Sequence, residues 1–128
     1  MEFSREIHKY IVRSASTLTT SYVAGTIVGD ASEYNTLAIE VDFTKGSLTS
    51  MEMKVEVSND GTNYYQQVAE STSSGTVTVN QAERTWDTTG KYAFIIHPVR
   101  AKYIKISVKG TGTVTGSSCA VTAYLCWS

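Results

Sequence analysis

Residues 51–65 read MEMKVEVSNDGTNYY, and this stretch limits what the chain can fold into. Met51, Met53, Val55 and Val57 alternate with Glu52, Lys54 and Glu56. A period of two sends one set of side chains to each face of a strand, one face buried and one wet. Ser58-Asn59-Asp60-Gly61 follows. Asn and Asp side chains bond their own backbone and glycine accepts a positive φ, so the tetrapeptide predicts a tight turn. Tyr64 and Tyr65 restart an extended segment, which makes the whole stretch a hairpin.

The same alternation recurs along the chain. In 36–43, Leu37, Ile39, Val41 and Phe43 point one way and Glu40 and Asp42 the other; in 102–109, Ile104, Ile106 and Val108 point inward. In 118–127, Cys119, Val121, Ala123, Leu125 and Trp127 share a face. KYAFIIH at 91–97 is a strand stopped by Pro98. Weaker signals predict a first strand within 6–17, an edge strand or bulge around Gly25, the end of the returning hairpin strand at 66–69, and a short strand at 77–79. Polar loops are expected at 29–35, 71–75 and 81–90, the last containing Trp86, with a turn at 45–47. The glycine-rich segment 110–117 reads as a loop or bulged turn. No segment has a convincing helical period. About eight short strands in 128 residues, 41% of them hydrophobic, predict an all-β, single-domain two-sheet β-sandwich or jelly roll spanning 1–128.

The totals narrow the partners. A net charge of -1 implies neither nucleic acid nor an anionic membrane. MEFSREIHKYIVRS lacks the apolar core of a signal peptide, and no window approaches a membrane span. The expectation is a chain made and used in the cytosol. Cys119 and Cys126 stand seven positions apart on one predicted strand, hence on opposite faces. Free thiols are expected.

Candidate chemistry is sparse. The two histidines, His8 and His97, would each need a nearby nucleophile or carboxylate for catalysis. A thiolate pair of Cys119 with His97 can be imagined, but Cys119 shares its face with Val121, Leu125 and Trp127 and reads as a core residue. CxxC, HExxH, GxSxG and P-loop motifs are absent. Glu40, Asp42, Glu52 and Glu56 would form an acidic patch, partly offset by Lys54, if their two strands paired. Such a patch suits a hard cation such as calcium or is simply a solvated face, the reading preferred, as Asp60 is preferred as a turn former. No catalytic residue, cofactor or metal is expected. Arg100, Lys102, Lys105 and Lys109 make the later chain basic, with Lys105 and Lys109 facing outward beside Tyr103 and Ser107. Those lysines suit phosphate or nucleic acid, or they guard an edge strand against aggregation, again the preferred reading. Tyr64, Tyr65, Trp86, Tyr92 and Tyr103 form the candidate interaction surface, of a kind that enriches both sugar sites and protein interfaces.

Two resemblances follow from longer segments. KVEVSNDGTNYY with RAKYIKISV, roughly 54–108, resembles discoidin-type domains of the galactose-binding-like jelly rolls, which implies sugar or lipid binding. DFTKGSLTSMEMKVEVSNDGTNYYQ and VRAKYIKISVKGTGTVTGS, ending in AYLCW, resemble small virion proteins of tailed bacteriophages, of the capsid-decoration or head-fibre type. That resemblance implies a non-enzymatic structural protein assembled in the host cytoplasm. It would dock on the major capsid protein or another virion protein and form a homo-oligomer, a trimer before other states, with no nucleic-acid or membrane partner. A carbohydrate- or surface-binding module is the alternative.

Overall fold

A computed structural model describes residues 7–66, 68–73, 76–81 and 83–127, with 68–81 described through the backbone only. The strands are β1 (His8–Ser16), β2 (Val23–Ala24), β3 (Thr36–Thr44), β4 (Leu48–Ser58), β5 (Tyr65–Gln66), β6 (Val68–Ser73), β7 (Thr76–Gln81), β8 (Glu83–Trp86), β9 (Gly90–Ile96), β10 (Tyr103–Gly112) and β11 (Ser118–Cys126). Every pairing between them is antiparallel. One sheet runs β1-β11-β3-β9 and the other β2-β10-β4, with β5 and β8 both on the outer side of β4. β6 and β7 form a separate two-stranded sheet. The connections β1–β2, β2–β3, β3–β4, β8–β9, β9–β10 and β10–β11 all pass from one sheet to the other. That makes a two-sheet sandwich wound as a jelly roll.

The predicted phase of the principal strands holds. Leu37, Ile39, Phe43, Cys119, Ala123 and Leu125 of the first sheet are fully enclosed, as are Met51, Met53 and Val55 of the second. Ile104, Ile106 and Val108 are buried beside them, while Val57 is packed against the core but partly exposed. Each large apolar side chain removed from water contributes about 1.5–3 kcal/mol, so this two-layer contact is the main favourable contribution to the fold. The bulge expected in 110–117 is present as a register shift between Thr111 and Gly112, where Gly112 has φ +102°.

The hairpin forms as the turn chemistry requires, with Val57 opposite Tyr65 and Glu56 opposite Gln66. Asp60 Oδ1 accepts the backbone N–H of Thr62 and of Asn63, each at 2.8 Å, while Asp60 Oδ2 accepts Asn63 Nδ2 at 2.8 Å. Ser58 Oγ donates to Asp60 Oδ1 at 3.0 Å and accepts the Gly61 N–H at 2.9 Å. Gly61 takes φ +76°.

Several expectations are corrected. The returning hairpin strand is described over Tyr65–Gln66; residues 68–69, expected to finish it, and 71–73, expected in a loop, belong to β6. The segment 81–90 is not a continuous loop: it contains β8, whose Trp86 lies opposite Met51. Its sequence is polar because β8 lines the sheet margin, and only Trp86 packs on the core. Within 29–35, Ala31–Glu33 make a short 3-10 turn that buries Ala31. β11 ends at Cys126, so Trp127 leaves the layer and is 53% exposed instead of sharing the core face. β3 and β4 lie in different sheets, so the acidic patch does not assemble. β10 is no edge strand: it runs between β2 and β4.

Candidate interaction surfaces

The sandwich has two outer faces, and they are covered differently. On the five-stranded sheet, long side chains lie flat over aromatic rings. The ammonium groups of Lys54 and Lys109 sit 4.6 and 4.9 Å from the Tyr22 ring centre, and that of Lys105 sits 4.3 Å from the Tyr64 ring. These contacts are cation–π attractions. Beneath them Ser107 is buried. Lys54 also approaches Glu56 at 3.7 Å, and Glu52 accepts Ser50 Oγ at 2.7 Å and Thr111 Oγ1 at 2.9 Å. The lysines of β10 therefore pack over their own sheet.

Among the described residues, no cation–π contact of this kind covers the outer face of the four-stranded sheet. Residues directly opposite one another across antiparallel strands share a face. One row reads Ile11, Thr122, Glu40, Ala93 and the next Lys9, Tyr124, Ala38, Ile95. A third row sets Ala120, Asp42 and Lys91 side by side. The small residues leave a shallow trough of about 490 Å³ between Glu40, Asp42, Lys91 and Thr122. Ile11 on β1 and Ile95 on β9 flank the central strands, 60% and 63% exposed.

The aromatic residues singled out from the sequence divide into two groups. Trp86 and Tyr92 stack with ring centres 5.1 Å apart and planes 18° from parallel. Beside them the Arg84 guanidinium lies 4.3 Å from the Phe94 ring. β8 margins one sheet and β9 the other, so these pairs close that seam of the sandwich. The Tyr92 hydroxyl donates to the Thr88 carbonyl. Tyr64 and Tyr103 stand apart from this seam, near the hairpin. Lys102 lies 5.5 Å from the Tyr103 ring, and a Cβ on Gly61 would meet that ring at 3.3 Å. Tyr65, opposite Val57, is 69% exposed. The five residues do not make one continuous surface. Ile11 and Ile95 escaped the sequence reading because an isoleucine on a two-sided strand looks like any other β former.

The groups considered for chemistry are separated. His8 lies on β1 and His97 just after β9, at opposite margins of the four-stranded sheet. His8 stacks on Tyr10 at 4.8 Å, and His97 Nδ1 shares a 2.8 Å hydrogen bond with Thr36 Oγ1. Cys119 lies opposite Phe43, while His97 follows the strand end at which Leu37 opposes Ile96, so the imagined thiolate pair does not form. Burial pushes the Cys119 thiol up to about 11. Both cysteines are free, Cys119 buried and Cys126 partly exposed on the other face of β11. Among the described residues no cluster of His, Cys, Asp or Glu has the makings of a metal site. Asp60 directs both carboxylate oxygens into its own turn.

No protein-family model and no curated protein matches the chain in sequence. Solved structures do match it in shape. The SPBc2 prophage-derived protein YomS is similar with a TM-score of 0.62 at 13% identity, over 98% of this chain and 97% of that one. A chain of Bacillus endospore appendages, which are disulfide-linked pili, gives a TM-score of 0.49 at 11% identity, over 98% of this chain and 93% of that one. A chain of infectious bursal disease virus, Gx strain, gives 0.43 at 11% identity, over 96% of this chain and 32% of that one. The likeness to YomS runs through both sheets and supports the sandwich as the fold.

Proposed function

We propose that this chain is a non-enzymatic structural protein of a bacteriophage virion, a capsid decoration protein that self-associates as a trimer through the outer face of its four-stranded sheet and docks on the capsid. The contrast between the two outer faces carries the reading. One is covered by its own lysines over tyrosines; the other presents Ile11 and Ile95 around a floor of alanines and threonine. Exposed apolar side chains around small residues suit the packed centre of a protein–protein contact, where a few buried anchors supply most of the affinity. Lys9 and Lys91 balance Glu40 and Asp42 on that face, so no net charge on it opposes association. The full-length likeness of shape to a prophage-derived protein supports the same direction, as do the phage-like sequence segments. The partner is the major capsid protein or another virion protein, and assembly takes place in the host cytoplasm.

Purified particles from a strain carrying the gene test this reading. Mass spectrometry is expected to find the chain in the particles, and immunogold labelling to find it on their surface. Particles that lack the chain, with the protein recovered only in the soluble fraction, contradict it.

A further inference from the structure

At one end of the sandwich a cleft of about 270 Å³ opens between the 3-10 turn, the hairpin turn and the segment after β9. Backbone bonds hold its walls in place. Val99 N donates to Asn35 O at 2.9 Å, Ala31 N to Lys102 O at 3.0 Å, and Lys102 N to the side-chain Oδ1 of Asn59 at 3.1 Å. Three unrelated segments are thereby tied to one another. The floor is the buried pair Val99 and Ala101.

The walls combine two chemistries. Trp127 leaves a large apolar surface in water, although burying it would stabilise the fold. Tyr34 also lines the cleft, its ring edge-on to His8 with ring centres 6.3 Å apart. Arg100 lines it as well, and among the described residues its Nη1 donates to the neighbouring Val99 carbonyl at 3.2 Å. Among the described residues no carboxylate lies within ion-pair distance of its guanidinium. Asn59, its Oδ1 already engaged, retains its amide N–H groups as donors.

We infer that this cleft binds an acidic sugar, a pyranose ring carrying a carboxylate. The C–H face of a pyranose stacks on an indole, which a small neutral polar ligand does not require. A planar guanidinium pairs with a carboxylate through two parallel hydrogen bonds. Asn59 and Ser32 are left for the ring hydroxyls. The volume lies near the lower end of ligand sites, about 300 Å³, and so suits one ring of a longer glycan. This inference is independent of the virion reading: the cleft lies at an end of the sandwich, not on its sheet face.

The test is ¹H–¹⁵N NMR titration of the whole chain with methyl β-D-glucuronide and with sialyllactose, against methyl β-D-glucoside and acetate. At least one acidic sugar is expected to shift the Trp127 indole signal, with the neutral glucoside binding about tenfold more weakly. Arg100→Ala should erase that preference, and Trp127→Ala should abolish binding. Both side chains are exposed, and an unchanged melting curve will show that the variants fold. No shift with either acidic sugar overturns the inference. So does acetate reproducing the shift, or binding that survives both substitutions.

Discussion

Ile106 is 1% exposed at the centre of β10, opposite Val55 of β4. Truncating it leaves a cavity that the two packed sheets cannot close, so Ile106→Ala is expected to cost about 2–5 kcal/mol in urea unfolding. An unchanged midpoint would place that side chain outside the core. Cys119 gives a second test at this scale. Burial is the larger influence on its thiol and pushes it from an ordinary 9.0 up to about 11, against the opposing pull of Arg13. The folded state holds this proton to higher pH than the unfolded chain does. Its contribution to stability is therefore complete below pH 9 and declines as pH rises from 9 to 11. Under native conditions iodoacetamide should alkylate Cys126 well before Cys119, and equal rates would contradict the buried placement. Such burial was legible because β11 alternates strictly from Cys119 to Leu125. Trp127 was not legible, because alternation cannot reveal where a strand stops.

At the scale of elements, the hairpin between β4 and β5 depends on one carboxylate. Backbone N–H groups of Asn63 and Thr62, then the side chains of Asn63 and Ser58, hold Asp60 well below its ordinary 3.8. A lowered carboxylate stabilises the folded state above its unfolded pKa and loses that effect as pH falls through the lower folded value. The melting temperature of the wild type should therefore drop more steeply from about pH 4 downward than that of Asp60→Ala. Parallel acid limbs would show that the turn does not use this charge. The turn was readable because Ser-Asn-Asp-Gly states its own hydrogen bonds. Sheet membership was not. Period two fixes which face a residue occupies, but not which strand lies beside it, so it left open whether β3 and β4 pair; they lie in opposite layers. β8 was missed for a related reason: of its four residues, only Trp86 packs on the core.

At the scale of the whole molecule, the difference between the two outer faces is the feature that points to assembly. It arises from pairing between distant strands, β11 between β1 and β3, and β10 between β2 and β4. Composition carries no trace of it. Closed symmetry would also cover strand edges such as those of β1 and β9, which otherwise invite uncontrolled pairing. Because the face carries balanced charge, association should weaken only modestly with salt. Sedimentation velocity of the wild type beside Ile95→Asp tests assembly through this face. A wild-type species of three times the chain mass and a folded, monomeric Ile95→Asp are expected. A wild type that stays monomeric at every concentration, or an Ile95→Asp variant that sediments as the wild type does, would contradict it.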